Sequence, residues 1–328
     1  MTALPSEFLA LSRRVGADPL LVQGPGGNTS VTSDGVMWIK ASGTELADAE
    51  TSEIFVAVDP TRALAELDGA GDGTCRSAMV DDTARLRPSI ETTFHALLPQ
   101  RFVVHVHSVA TICHAIADEG LTLLEAKLAG LAWVCVPYRK PGIPLTAAIR
   151  EAAGATAPAV IVLENHGLIV AADCVAEIER LLATVEERLA LAPRDVARPP
   201  ASPIAIEGRQ ALPELGALTC DPSLRRCATS GSYYPDHVVF LGPGLPLYES
   251  GSDDIGTDTS PAILVEGEGV YLRDGATSAQ RAMVRCLFDV LIRTPEHWNL
   301  RAIGPDDEAA LLDWDAEKYR QALAARGR

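Results

Sequence analysis

Two histidines one residue apart close an apolar run, Val103-Val104-His105-Val106-His107. On an extended strand residues i and i+2 project to the same face. His105 and His107 therefore offer two imidazoles side by side, while Val104 and Val106 face the opposite way into a core. Paired imidazoles on a rigid element suit a divalent metal. A third candidate, His166, follows a second apolar strand, Ala159-Val160-Ile161-Val162-Leu163, in the turn Glu164-Asn165-His166-Gly167. Three imidazoles with one open position describe a catalytic centre better than a structural one. Taken alone, the paired histidines would more often be structural.

The elements that must position these side chains alternate between helical and extended patterns over the first 195 residues. A helix is expected from Ser6 to Val15. Gly24-Pro25-Gly26-Gly27-Asn28-Thr29-Ser30 reads as a glycine-rich turn, and strands are expected at 36–40 and 54–58. Asp59-Pro60 starts a helix through Leu67, and residues 69–87 read as a surface loop. Ser89 is a suitable N-cap for a helix through Leu98. Helices are expected at 109–117, 121–131 and 146–153, with a strand at 133–136. Residues 175–191 carry apolar positions at helical spacing. Arg198-Pro199-Pro200-Ala201-Ser202-Pro203 is the best linker candidate, dividing residues 1–196 from a smaller α+β unit at 204–328. In that unit strands are expected at 237–241, 262–266 and 270–272, and helices at 278–292 and 306–325.

The 328 residues are 47% hydrophobic and 22% charged, enough for a substantial core. Lys and Arg number 28 against 44 Asp and Glu, a net charge of −16. Such a surface repels polyanions, so a nucleic-acid partner is not expected. An anionic small substrate remains compatible if a metal or backbone N–H groups supply local positive potential. The seven cysteines are scattered without a CxxC pair. They read as reduced thiols of a cytoplasmic protein, with a Cys220–Cys227 pairing left open. The first residues lack a basic segment followed by an apolar stretch, so no signal peptide is expected. No window approaches the roughly 18 apolar residues of a membrane span.

Four segments stand in order: Gly27-Asn28-Thr29-Ser30, Ala41-Ser42-Gly43-Thr44, Ser89-Ile90-Glu91, and His105-Val106-His107 with Asn165-His166-Gly167. Together they resemble the class II aldolase/adducin family, which includes L-fuculose- and L-rhamnulose-1-phosphate aldolases. The resemblance covers about residues 5–195. Pro235-Asp236-His237-Val238-Val239 and Leu312-Asp313-Trp314-Asp315 resemble the aldolase half of bifunctional rhamnose-utilisation aldolase/dehydrogenases. No dehydrogenase half is expected in these residues, since the glycine-rich turn lacks a preceding strong strand and is not GxGxxG.

The resemblance implies an α/β fold. Its αβα domain has three layers around a central, mostly antiparallel sheet, with a smaller α+β C-terminal extension. It assigns His105, His107 and His166 to a Zn²⁺ ion, or to Mn²⁺ or Co²⁺ in its place. Glu91 would sit at the metal as catalytic base. Asn28, Ser42, Gly43, Thr44 and Ser89 would bind the substrate phosphate, and Tyr138 would exchange a proton with the aldehyde oxygen. A homotetramer acting on a small carbohydrate is the implied assembly and partner.

Chemistry supports these assignments independently. Cleaving a carbon–carbon bond beside a carbonyl leaves an electron pair, and a Lewis-acidic cation stabilises the enediolate. A neighbouring carboxylate can move the proton, and glycine turns let backbone N–H groups approach an anion.

Two positions depart from the family pattern. Ile90 stands where phosphate-binding aldolases commonly have a second serine, so phosphate recognition is weakened or the substrate is not phosphorylated. Asn165 replaces a histidine seen in some relatives.

Blander roles are open to most of these residues. Glu91 could be a first-turn helix glutamate, Asn28 and its glycines a plain turn, and Tyr138 a core aromatic. His95 shares a helical face with Glu91 as a supporting or surface residue. His114 reads as packing, and His237 as the lead of a strand or a reach towards a neighbouring site. The acidic segment 249–258 reads as a solvated loop. Two other readings stand beside the lyase: an epimerase or dehydratase on the same metal site, and a non-catalytic adducin-like interaction module.

Overall fold

The computed structural model describes residues 4–69, 71–81, 83–196, 203–250 and 253–326. Most of the proline-rich stretch 198–203 lies outside them. Strand β4 (Phe102–Val106) is buried at every position. Its neighbours are β1 (Asn28–Ser33) and β7 (Gly167–Ala172). Neither neighbour is among the expected strands. β1 reads Asn-Thr-Ser-Val-Thr-Ser, too polar for a core strand, yet its first four residues are buried. Its polar side chains are where the site needs them, which overrides the usual apolar pattern.

The sheet continues with β2 (Val36–Lys40) and β3 (Phe55–Val58) on one side, β6 (Val160–Leu163) and β5 (Trp133–Val136) on the other. The order is β3-β2-β1-β4-β7-β6-β5. Every pairing is antiparallel except β5 with β6. Helices cover both faces. On one lie α1 (Ser6–Ala17), α5 (Asp118–Lys127) and α7 (Val175–Leu189), where Phe8, Leu124 and Ile178 meet Val104, Val106 and Val170. On the other, α3 (Thr92–Leu97) and α6 (Ile143–Ala153) bring Phe94 and Ile149 against Val103, Ile161 and Ile169. The expected three-layer fold is present, and His105 shares the face of Val103.

The C-terminal extension carries a four-stranded sheet ordered β8-β11-β10-β9 (Arg209–Leu212, Gly269–Arg273, Ala262–Val265, Leu247–Tyr248). Around it run α8 (Ala217–Cys220), α9 (Pro222–Thr229), α10 (Pro235–Leu241), α11 (Ser278–Arg293), α12 (Pro305–Leu312) and α13 (Asp315–Arg326). Its core is continuous with the first unit. Val109, Ile112, Cys113 and Ile116, on or just after α4 (Val109–Ala115), join one cluster with Tyr234, Met283, Leu287 and Val290.

Four expectations need correcting. Residues 237–241 are helical. All seven residues of α10 are buried, and a short apolar run does not distinguish a buried strand from a buried helix. Pro235 at the first turn decides it. The helix expected at 306–325 is two, α12 and α13, parted at Asp313-Trp314. The helix after Ser89 starts only at Thr92, because Ser89 and Glu91 form a turn in which the Ser89 hydroxyl accepts from the Glu91 N–H at 3.2 Å. The stretch 69–87 is not wholly surface: Cys75, Ala78 and Met79 pack beneath β2 and β3. All seven cysteines are free thiols. Among the described residues no helix is long and apolar enough to cross a membrane.

Gly167 begins β7 where it meets the end of β4. A Cβ there would lie 2.4 Å from the Val106 carbonyl oxygen and 3.3 Å from the His107 Cα. Gly167→Ala should therefore force β7 off β4 and cost about 1–3 kcal/mol, read as a lower urea midpoint. A parental midpoint would show that the two strands can separate freely.

Candidate metal centre

Strand pairing brings the histidines together. His105 sits opposite Asn28 on β1 and Ile169 on β7. His107 follows the end of β4, and His166 lies in the turn between β6 and β7, next to Gly167. The ring centroids are 5.0 Å (His105–His107), 4.9 Å (His105–His166) and 5.2 Å (His107–His166) apart. One nitrogen from each ring falls within 4.8 Å of the others, and all three residues are buried.

Glu91, at the N-cap of α3, faces this group. Its Oε2 is 3.5 Å from His105 Nε2 and its Oε1 3.5 Å from His166 Nε2. His105 Nδ1 lies 3.1 Å from the Leu168 carbonyl, which orients the ring and turns Nε2 inward. Asn28 donates to Glu91 Oε2 at 2.8 Å and to the Ser89 hydroxyl at 3.2 Å. His95, stacked on Phe94, bridges the Asn28 side-chain amide oxygen Oδ1 and the Ser30 hydroxyl. It is thus a supporting residue rather than a surface one.

Buried polar atoms normally find partners. Here His105 Nε2 and Glu91 Oε1 have none, although they look into the same space. The donor set and these two orphans fit a divalent cation. Burial lowers His105 to about 4 and His166 to about 3, despite the opposing pull of Glu91. Both imidazoles are therefore neutral at pH 7, the form that binds metal. Burial also raises the Glu91 carboxyl, but the imidazoles and the Asn28 amide outweigh it and hold it at about 2.

Asn28, Ser42, Gly43, Ser89, Ile90 and Glu91 line one pocket with His107 and His166. Thr44 is not among its lining residues; its hydroxyl turns back to donate to the Ala41 carbonyl at 2.8 Å. Tyr138 also lies elsewhere, packed against the extension's core with an unpartnered hydroxyl. Burial and the nearby carboxylates of Asp307 and Glu308 push that phenol well above its ordinary range. His114 packs against Trp298, and His237 is buried in α10, its Nδ1 accepting from the Tyr233 N–H at 3.4 Å.

Four charged lining residues are not among the candidates from sequence: Lys40, Asp236, Glu317 and Arg320. Lys40 donates from Nζ to the carbonyls of Pro25 (2.8 Å) and Thr44 (2.6 Å). Burial, then the Arg320 charge, lowers it to about 7. A lysine ending an apolar strand beside Ala41-Ser42-Gly43 was the available signal. Asp236, Glu317 and Arg320 come from α10 and α13; Asp236 stands in the Pro235–Val239 motif without a site role, and nothing local marks Glu317 or Arg320.

A family model described as the Class II Aldolase and Adducin N-terminal domain matches residues 6–192. The chain belongs to this family. As a class II aldolase/adducin member it is 34% identical over 181 residues to a Bacillus subtilis (strain 168) protein called "Uncharacterized oxidoreductase YuxG". The match takes in 50% of this chain and only 26% of that protein. Among solved structures, the N-terminal class II aldolase domain of a conserved Thermoplasma acidophilum protein is 28% identical, with a TM-score of 0.49. It covers 58% of this chain and 94% of its own. L-fuculose-1-phosphate aldolase from Thermus thermophilus is 20% identical with a TM-score of 0.38, covering 57% and 93%. Class II aldolases use a divalent metal, and the buried histidine group of this member could hold one.

The pH dependence of the metal-free protein follows from its buried imidazoles. His95, His105, His166 and His237 are depressed from 6.5 to between about 3 and about 4, chiefly by burial. Between those values the unfolded chain binds more protons than the folded one, so stability rises with pH. Chelator-treated protein should lose stability steadily from pH 6.5 towards pH 4, by several kcal/mol in urea titrations. A flat profile over that window would contradict the burial of neutral imidazoles.

Proposed function

We propose that this chain is a metal-dependent carbon–carbon lyase that reversibly cleaves a small hydroxylated ketone or ketose. The supporting observation is the pair of buried, unpartnered atoms, His105 Nε2 and Glu91 Oε1, beside two further imidazoles. His105, His107 and His166 would hold Zn²⁺, or Mn²⁺ or Co²⁺ in its place. When bound, such a cation supplies a Lewis acid for the charge released at the carbon next to a carbonyl.

The protein's own groups do the rest. Asn28 fixes Glu91 Oε2, leaving Oε1 free to accept and return the substrate proton. The buried chain Ser30–His95–Asn28 keeps that amide from rotating. Ser42, Gly43 and Ser89 offer polar groups to the far end of the substrate. Tyr138, outside the pocket, has no part in this proposal. A homotetramer in the cytoplasm belongs to the same reading.

The substrate class follows from the hydrogen-bond donors the pocket can offer. Ile90 donates no hydrogen bond, and Lys40 already serves two carbonyls. The carboxylates of Glu91, Asp236 and Glu317 outnumber the cations Lys40 and Arg320 around the pocket. The proposed divalent cation offsets that excess, so the preference rests on hydrogen bonding: with Ile90 silent and Lys40 engaged, few donors remain for a phosphate dianion, whereas neutral hydroxyls find donors and acceptors. The favoured substrate is an unphosphorylated polyhydroxy ketone.

Three measurements test this. Purified protein should carry about one divalent ion per chain, and His107→Ala should lose it; equal, negligible metal in both would favour the interaction module. Glu91→Gln should retain the ion while kcat for aldehyde release falls by about 10²- to 10⁴-fold. Proton exchange or water loss without cleavage would instead reassign the chain to the epimerases or dehydratases. Across a ketose panel, kcat/KM should be at least about tenfold higher for unphosphorylated substrates, a difference of about 1.4 kcal/mol. The reverse preference would overturn the donor argument.

A further inference from the structure

His107 differs from His105 in how it is held. His105 lies within β4 and is oriented by a backbone carbonyl of the adjacent strand. His107 lies past the end of the ladder, and its Nδ1 is 3.1 Å from Asp236 Oδ2 on α10 of the C-terminal extension. Asp236 is 1% exposed. Arg320 on α13 grips both of its oxygens, Nη1 to Oδ1 at 2.6 Å and Nη2 to Oδ2 at 2.8 Å. Arg320 is itself buried, 3.3 Å from Glu317 and over the ring of Phe240. Gly26 walls the contact: a Cβ there would fall 2.9 Å from both His107 Nδ1 and Asp236 Oδ2.

A carboxylate accepting from one imidazole nitrogen fixes both ring orientation and tautomer, leaving the other nitrogen free for a cation. The two parallel bonds from the guanidinium fix the carboxylate in turn. We propose that Asp236, clamped by Arg320, is a positioning residue for His107, so that the C-terminal extension sets how tightly the centre holds its metal. This rests on the metal reading above. It assigns the region after residue 203 a role in the centre itself.

The test uses the full-length protein, zinc competition against a chromogenic chelator, and the visible spectrum of the Co²⁺-loaded form. Asp236→Asn should weaken Zn²⁺ binding roughly 10- to 100-fold and shift the Co²⁺ absorption bands. Arg320→Lys, which keeps the charge but loses the fork, should weaken it several-fold. Arg209→Met removes a different buried pair of the extension, Arg209 with Asp258 at 3.2 Å. It should lower the melting temperature while leaving zinc affinity unchanged. Zinc affinity within twofold of the parent in Asp236→Asn would overturn the proposal, as would an equal loss in Arg209→Met. Should Asp236→Asn not fold, Arg320→Lys decides: parental affinity and spectrum overturn the proposal. A parent that binds no zinc refutes the metal reading itself, a separate and recognisable result.

Discussion

Burying a carboxylate against several imidazoles without filling their hydrogen-bonding capacity is costly, and the rest of this structure is arranged around that cost. A buried ionised group is tolerated when opposite charge or several hydrogen bonds reach it. Glu91 has one such bond, from Asn28, and two neutral imidazole edges. A divalent cation between them would remove the deficit at once. It would give His105 Nε2 a partner, place opposite charge beside Glu91 and lower the repulsion among the pocket's carboxylates.

The arrangement depends on strand register. A slip of one residue between β4 and β7 would turn His105 to the opposite face and carry Val104 into the site. Antiparallel pairing on both sides of β4 and the close approach at Gly167 oppose such a slip. Asn165 takes a left-handed backbone (φ 52°) in the turn before His166, a conformation asparagine tolerates better than most residues. Its amide donates to the carbonyls of Tyr233 (3.0 Å) and Arg301 (2.7 Å), so the turn carrying the third histidine is also tied to the extension.

Much of this was legible in the sequence and some was not, for identifiable reasons. The alternation of Val103 to His107 predicted which side chains share a face, and the order of short motifs pointed to the family and its sheet. β1 escaped because its residues are polar and buried for the site's sake. α10 escaped because its apolar run is too short to reveal a period. Residues 69–87 escaped because their buried positions are few among glycines and charges. Within the site, the histidines, Glu91 and Asn28 were readable because they lie in contiguous motifs. Asp236 lies in such a motif too, but its pairing with Arg320 was not readable, since the two are separated by 84 positions in sequence and meet only when α10 and α13 pack together.

The shared packing on α4 has a consequence for how this protein could have been assembled or could be divided. Val109, Ile112, Cys113 and Ile116 are covered by residues from beyond 203. Severing the chain in the proline-rich stretch would leave an apolar stripe of the leading fragment in water. That fragment would be prone to self-association even though its own sheet and both helical layers were intact. The two parts thus share one apolar core, and a shuffled or truncated descendant would need new polar residues along α4 before it could stand alone.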